Sequence, residues 1–480
     1  MIGGIRCPFC ILSPFLLEQT LHTLLKAASL LQTTRKDQTH TKMAMNTASN
    51  VLENYLGDKP TATPNKPTPT SQTMKALAWY GKHDLRLIDT PVPTISHPKD
   101  AIIRVTGTTV CGSDLHLLHG EILQLKKGDI LGHEYMGIVE EVGSQVTKIK
   151  KGMRVVAAFN IGCGECEYCR KQQYTECDAT NNSALMEKMY GQKLGGILGY
   201  GHFGGGFAGG QAEYVRQPFA DVNLLPLPSD IPDEKALYLS DIVCTAYHAV
   251  VESGAQPGET IGVWGLGPIG LLVAQWLRVK KVGRIIAIDN VQSRMALARE
   301  KWGVETIDFE EYPDVVGRIM ELAPKGLDRA IDCAAFRYAK SMVHKVQRAI
   351  GLETDSSEIV NEEIRAVKKF GTVALIADYA ANTNGFMIGA VMEKGIRLIG
   401  CGQAPVQRYW QECLDYIRSG EFDPTIIVTH RFPLDQIVEV YNRFDKKEAG
   451  IIKVFLQTRF SAPASKGTPE LSDVRQLKEE

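Results

Sequence analysis

Four cysteines stand close together at Cys163, Cys166, Cys169 and Cys177. Thiolates at such short gaps can surround one tetrahedral ion at about 2.3 Å per zinc–sulfur bond. With all four vertices filled by protein, none is left for water or substrate, so the expected role is a structural zinc site. A four-cysteine iron–sulfur cluster uses the same ligand type, but nothing else in the chain supports one. A second constellation is spread out. Cys111-Gly112-Ser113-Asp114-Leu115-His116 is followed by Gly132-His133-Glu134. A catalytic zinc takes three protein ligands from Cys, His and carboxylate and keeps one position open. Cys111 and His133 supply two ligands, and the residue types leave the third open among Glu134, Asp241, Cys244 and His248. A third signal is Gly265-Leu266-Gly267-Pro268-Ile269-Gly270, after the run TIGVW, with Asp289 closing the next apolar run. Gly265 permits a tight turn, Gly267 lets a pyrophosphate approach the backbone, and Gly270 allows close helix packing; the helix N-terminus offers N–H groups to phosphate. Asp289 would accept bonds from ribose hydroxyls and repel a 2′-phosphate, which favours NAD over NADP.

These residues need particular elements to hold them. From residue 74 to about 158 the runs KALAWY, AIIRVT, GIVEEVG and RVVAAF alternate with glycine turns, which predicts a small, mostly antiparallel β domain. From about 258 strands and helices alternate: Thr260–Gly265, the helix Ile269–Lys280, Arg284–Asp289, the helix Gln292–Trp302, then strands at Leu327–Cys333, Thr372–Ala377 and Ile396–Gly400. That rhythm predicts a doubly wound parallel sheet. Ile451–Leu456 reads as a strand returning to the first domain. The stretch 191–210 holds ten glycines and reads as a mobile loop, either gating a substrate site or forming an unconstrained surface connection.

The chain has 480 residues, a formal net charge of −1 and 44% hydrophobic residues. That is enough for two or three domains, and the charge is too balanced to draw in nucleic acid or anionic lipid. No uninterrupted run of about 18 apolar residues occurs, so no membrane span is expected. Eleven cysteines, four of them clustered, point to metal and a reducing compartment, and the expected location is the cytoplasm. Residues 1–45 carry five basic and two acidic side chains. That composition permits a mitochondrial presequence; the stronger reading is a dispensable extension, with Met43, Met45 or Met74 as the working start. Cys7 and Cys10 form a lone CxxC without strand–helix context. Pro60–Thr73 reads as an extended Pro/Thr linker, and 461–480 as a loose polar tail.

Two zinc-type sites ahead of a nucleotide unit resemble the zinc-dependent medium-chain alcohol dehydrogenases over about residues 74–457. The resemblance rests on CGSDLH, GHE, CGECEYC with Cys177, and VWGLGPIG with Asp289. The stretch Leu239-Ser240-Asp241-Ile242, the glycine run with GGQAEYV and the long segment after Asp332-Cys333 are similar to the glutathione-independent formaldehyde dehydrogenase branch. The implied fold is α/β, a Rossmann doubly wound parallel sheet inserted in a mostly β, GroES-like catalytic domain. The implied boundaries are 1–73 extension and linker, 74–241 and 402–460 catalytic domain, 242–401 nucleotide domain, and 461–480 tail. Many members carry cysteine where Asp241 stands; the resemblance makes Asp241 the third zinc ligand and Glu134 a nearby carboxylate that visits the metal. It further implies that zinc polarises the alcohol oxygen, that Ser113 accepts the alcohol proton, and that the proton reaches His116 through the cofactor ribose while hydride passes to NAD. Arg294 is implied near the adenosine and Lys453 near the pyrophosphate. The segment 337–366 is implied as helix plus loop contacting another subunit of a dimer or tetramer. His119, Leu118 and Ile122 are guesses at pocket residues. The competing readings are a polyol dehydrogenase and a non-catalytic nucleotide-binding regulatory protein; zinc-free quinone or enoyl reductases are disfavoured by the ligands.

Overall fold

The computed structural model of the chain describes residues 46, 49–50, 52–66, 68–334, 355–379 and 383–477. The expectations for residues 1–45, Cys7 and Cys10 included, and for the larger part of 337–366 lie outside the described residues.

Segments of two to thirteen residues, punctuated by glycine turns, make the strands of the first part of the chain. These are β1 (Pro69–Gly81), β2 (Asp84–Pro93), β3 (Ala101–Thr108), β4 (Asp129–Ile130), β5 (Tyr135–Val142), β6 (Arg154–Ala157), β7 (Asn160–Ile161), β8 (Gly196–Ile197), β9 (Tyr214–Gln217) and β10 (Leu224–Pro226). β2, β1 and β4 form one antiparallel sheet. The second half supplies β11 (Thr260–Trp264), β12 (Arg284–Asp289), β13 (Glu305–Asp308), β14 (Leu327–Asp332), β15 (Asp355–Ser356), β16 (Val367–Leu375), β17 (Thr383–Asn384) and β18 (Arg397–Gly400). Six of them make an all-parallel sheet in the order β13-β12-β11-β14-β16-β18. Its strands β11 (TIGVW) and β12 (RIIAID) are nearly continuous apolar runs, as a sheet covered on both faces requires. The order reverses between β11 and β14, which opens a crevice at their carboxyl ends.

The chain then returns. β19 (Val428–Pro433) and β20 (Lys453–Gln457) pair in parallel, and β20 joins β3 at Leu456–Thr108. The full order is β10-β6-β5-β3-β20-β19, with β9 on β3. The returning strand expected at Ile451–Leu456 is therefore present, and it carries Lys453 back into the first half.

Three expectations change. Pro60–Thr73 is not a free linker: β1 starts at Pro69, Lys59 and Ala62 donate their N–H groups to Asn182 O (2.9 Å) and Ala179 O (2.8 Å), and Thr63 is buried. Arg216, already paired with Asp100 at 2.7 Å, also donates to the Pro64 carbonyl and Thr63 Oγ1. Proline and threonine make this segment extended, but its partners lie more than a hundred residues away. The tail through 477 is docked as well, with Val474 fully buried and its N–H given to Gln436 Oε1 at 2.9 Å. The glycine-rich stretch is packed rather than mobile. A Cβ at Gly209 would stand 2.3 Å from the Gly132 carbonyl, so glycine here permits close backbone contact with the turn before His133. Among the described residues no helix is long and apolar enough to cross a membrane.

Candidate active site and metal centres

β3 delivers the chain to Cys111, whose N–H donates to Asp114 Oδ2 at 2.9 Å. The short helix α1 (Asp114–Leu118) follows. His133 and Glu134 sit just before β5, behind a Gly132 turn at φ +95 whose Cβ would collide with Gln211 N at 2.5 Å. Asp241 lies at the start of helix α2 (Ile242–Ser253), where the helix dipole favours a carboxylate. Its Oδ1 accepts from Thr245 Oγ1 at 2.5 Å and its Oδ2 is 3.5 Å from His133 Nε2. Burial would raise the Asp241 pKa, but His133, Thr245 and Lys453 outweigh it and hold the carboxyl below its ordinary value. The ligand atoms of Cys111, His133, Glu134 and Asp241 all lie within 4.8 Å of one another. Two of the open alternatives fall outside: Cys244 donates to Leu239 O, and His248 Nδ1 meets Tyr409 OH at 2.8 Å.

The donor set fits a divalent cation on charge and on orientation. Cys111, Asp241 and Glu134 would bind a cation as anions and His133 as a neutral base; with one lysine facing them, that donor set would leave two negative charges for an ion to balance. Asp114 Oδ1 is 3.1 Å from His133 Nδ1, so the imidazole turns Nε2 toward the cluster. Lys453 Nζ donates to Glu134 Oε1 at 2.5 Å, with both side chains buried. Burial lowers the lysine pKa, yet Glu134, Cys111 and Asp241 together raise it above the ordinary range. Thus the ammonium that the resemblance implied near the pyrophosphate is anchored in the metal cluster.

The second centre closes on itself. Cys163 Sγ is 4.0 Å from Cys169 Sγ, and Cys166 Sγ is 3.9 Å from Cys177 Sγ. The edges of a tetrahedron with about 2.3 Å zinc–sulfur bonds are about 3.8 Å. Backbone N–H groups of Glu165 and Cys166 donate to Cys163 Sγ at 3.4 and 3.3 Å, and that of Cys163 to Cys177 Sγ at 3.3 Å. Such donors stabilise thiolates.

Ser113 opens α1 without using its hydroxyl as a cap. His116 faces Glu121 Oε2 through Nδ1 (2.8 Å) and Asp378 Oδ2 through Nε2 (3.5 Å), so it reaches from the catalytic domain to the loop after β16. Leu118 belongs to the core, Ile122 packs against it, and His119 pairs with Asp445 at 3.0 Å.

On the nucleotide side, β11 runs into Gly265 at φ +87 and helix α3 (Pro268–Val279). A Cβ on Gly270 would lie 1.9 Å from Gly265 O, whereas nothing stands within 4 Å of one on Gly267, which leaves that backbone open to a phosphate. Asp289 accepts Leu266 N at 2.6 Å and the N–H groups of Asn290 and Val291 at 2.8 Å, which ties the glycine loop to the end of β12. The Arg294 side chain makes no hydrogen bond or ion pair among the described residues.

Residues 97–229 match the family described as "Alcohol dehydrogenase GroES-like domain", and 268–419 match "Zinc-binding dehydrogenase". A zinc-type alcohol dehydrogenase-like protein of Schizosaccharomyces pombe is 43% identical over 414 residues, spanning 85% of this chain and 98% of the relative. This chain belongs to the zinc-dependent medium-chain alcohol dehydrogenases. It is a zinc-dependent alcohol oxidoreductase with the family's GroES-like and Rossmann-like domains. It is also similar to a glutathione-independent formaldehyde dehydrogenase of Pseudomonas aeruginosa, 30% identical over 408 residues, spanning 80% of this chain and 96% of the relative. Among solved structures, an alcohol dehydrogenase from Thermus sp. ATN1 superposes with a TM-score of 0.68 at 31% identity, covering 80% of this chain and all of that one.

Two residues of this dehydrogenase site escape a sequence reading. Asp114 lies inside the same hexapeptide as Cys111, and an acid three residues after a ligand at a helix start is a recognisable capping signal. Tyr200 has no such signal, because only the fold brings it within 5.8 Å (ring centroids) of His133.

Proposed function

We propose that the enzyme oxidises a small alcohol, or the hydrate of a short aldehyde such as formaldehyde, with NAD as hydride acceptor. The observation that supports this best is the convergence of the Cys111, His133, Glu134 and Asp241 ligand atoms within 4.8 Å of one another. In this reading Cys111, His133 and Asp241 hold the catalytic zinc, Glu134 stays beside it on Lys453, and the four cysteines hold a structural zinc. When bound, zinc supplies Lewis-acid polarisation of the substrate oxygen and the dinucleotide supplies the hydride acceptor. Ser113 Oγ, uncommitted to a cap, takes the substrate hydroxyl proton. His116, held between Glu121 and Asp378, takes over the proton that Ser113 gives up. Gly267 and the start of α3 receive the pyrophosphate, Asp289 the adenosine ribose, and Arg294 packs near the adenosine. Cysteine ligands favour a reducing compartment, and the location we propose is the cytoplasm.

The test is alcohol- and formaldehyde-dependent reduction of NAD without glutathione, followed by the absorbance of the reduced nicotinamide. A polyol is the comparison. NAD is expected to exceed NADP in kcat/KM by about a hundredfold or more, because Asp289 opposes a 2′-phosphate. Equal use of both cofactors would sink the assignment to Asp289, and turnover confined to polyols would favour the polyol dehydrogenase.

The reading extends to a homo-oligomer. Among the described residues β18 pairs on one side only, with β16, and Leu398 on it is exposed. Beside it lie the exposed Ile388 and Met392 of helix α4 (Ile388–Lys394), and Phe370, whose ring reaches Gly395. An unpaired edge flanked by apolar side chains is a liability unless covered, and a two-fold axis lets a second copy cover it with the same surface. The parental protein is expected to be at least a dimer by light scattering, and Ile388→Glu with Met392→Glu to yield monomers; a monomeric parent contradicts this.

A further inference from the structure

Tyr200 sits where the two halves of the proposed reaction meet. Its ring stands edge-on to the His133 imidazole at 79°, with centroids 5.8 Å apart, and its hydroxyl donates to the Ser113 carbonyl at 3.3 Å. Phe159 makes a similar edge contact with His133 at 6.4 Å. Tyr200 packs at the seam of two core clusters, and burial together with Asp378 and Asp114 raises its phenol pKa well above the ordinary value. A neutral ring that touches both the imidazole of the metal cluster and the serine beside Cys111 bounds the space between them.

What fixes that ring is not local to it. Tyr200 lies between Gly199 and Gly201, both at positive φ, so its backbone has no intrinsic preference for this shape. The loop is instead tied from outside. Asn65 Nδ2 donates to Gly205 O at 3.0 Å, and His202 N donates to Gln124 O at 3.2 Å. Gln124 and Leu125 are in turn held by the N-terminal arm: Gln124 N donates to Ser49 Oγ (3.2 Å), Leu125 N to Asn46 Oδ1 (3.0 Å), and Asn46 Nδ2 to Leu125 O (2.9 Å). Glu53 of the same arm is buried, beside Gln124, Lys126 and His202. The arm therefore grips the Tyr200 loop twice, directly through Asn65 and by way of Gln124–Leu125.

We propose that Tyr200 is the size-limiting wall of the substrate pocket and that Asn46, Ser49 and Asn65 form a clamp that sets its position. Tyr200 is a specificity-determining residue; Asn46, Ser49 and Asn65 are positioning residues. The proposal rests on the dehydrogenase reading of the same site and predicts preference for small, unbranched substrates.

The test uses full-length, zinc-loaded protein and reads the pocket without turnover. Calorimetry gives the affinities for imidazole and for 4-phenylimidazole, azoles that share one metal-binding group but differ in bulk. Tyr200→Ala is expected to tighten 4-phenylimidazole about tenfold or more, since a hydrophobic pocket discriminates size by about 10–200-fold, while imidazole changes little. Tyr200→Phe keeps the parental ratio, because the ring and not the hydroxyl forms the wall. Asn46→Ala with Asn65→Ala shifts the ratio the same way by a smaller factor, with zinc content unchanged. Tyr200→Leu replaces the alanine variant if that one does not fold. An unchanged ratio in Tyr200→Ala or Tyr200→Leu overturns the wall, an unchanged ratio in the Asn46/Asn65 variant overturns the clamp, and failure of every variant to bind either azole overturns both. A parental protein that oxidises no alcohol contradicts the substrate reading instead, and the azole ratio still decides on Tyr200.

Discussion

His133→Ala is expected to remove one of two zinc ions per chain and to lower alcohol turnover by about a thousandfold or more, the scale of losing an oriented electrophile from a buried site. The effect is large because the remaining donors do not make a replacement site. As ligands Cys111, Asp241 and Glu134 would be three like-signed groups, and their mutual repulsion would be offset by Lys453 and by a cation once one is bound. Removing the neutral imidazole leaves that charge pattern unchanged but takes away the ligand that Asp114 aims. Asp114→Asn is therefore a graded companion: it keeps the shape, removes the charge behind Nδ1, and is expected to weaken catalytic zinc by about 10–100-fold. Zinc analysis alongside initial rates separates the two centres, since the Cys163 cluster shares no residue with this one. Retention of both zinc ions and of parental turnover in His133→Ala would falsify the assignment.

What the sequence discloses, and what it withholds, follows from the range over which each signal acts. The four cysteines bind one ion within a single loop, so their spacing already contains the geometry. Gly265 and Gly270 answer steric demands set nearby, since a Cβ on Gly270 would stand 1.9 Å from Gly265 O, while Gly267 leaves its backbone open to a phosphate. Cys111 and His133 are legible because each begins or ends an element that periodicity reveals. The third ligand is not legible from residue types alone, because Asp241, Cys244 and His248 all lie in or beside one helix, and only its orientation decides which faces His133.

The glycines of 191–210 mislead for a related reason. Glycine content signals permitted freedom, whereas here it permits backbones to touch, as at Gly209 against Gly132. The arm at 46–66 and the tail through 477 read as loose because their composition is polar, yet their hydrogen-bond partners are Gln124, Leu125, Arg216 and Gln436, far along the chain. Composition limits how much apolar surface a segment can bury; it says little about whether its backbone finds donors and acceptors. The arm is accordingly part of the catalytic domain, and a chain begun at Met74 would lack the clamp on the Tyr200 loop.

Lys453 offers the second large effect, and it tests the charge balance of the metal cluster itself. The side chain arrives on β20, more than three hundred residues after Glu134, and both are buried with a 2.5 Å contact. Lys453→Met keeps the length and packing of the side chain but leaves the Glu134 carboxylate without its counter-charge. Breaking a buried pair from one side costs about 3–5 kcal/mol. For a domain of this size that corresponds to a fall of roughly 6–20 °C in the thermal midpoint of the zinc-loaded protein. Glu134→Gln in the Lys453→Met background removes the orphaned charge and is expected to recover most of the loss, because replacing both partners is commonly close to neutral. Kinetics read the same cycle differently: stability returns in the double variant, while turnover stays depressed if the Glu134 carboxylate itself assists at the metal. A Lys453→Met protein as stable as its parent would mean that the cation and its other ligands balance Glu134 without the lysine, and recovery of both stability and turnover in the double variant would assign the pair a purely structural part.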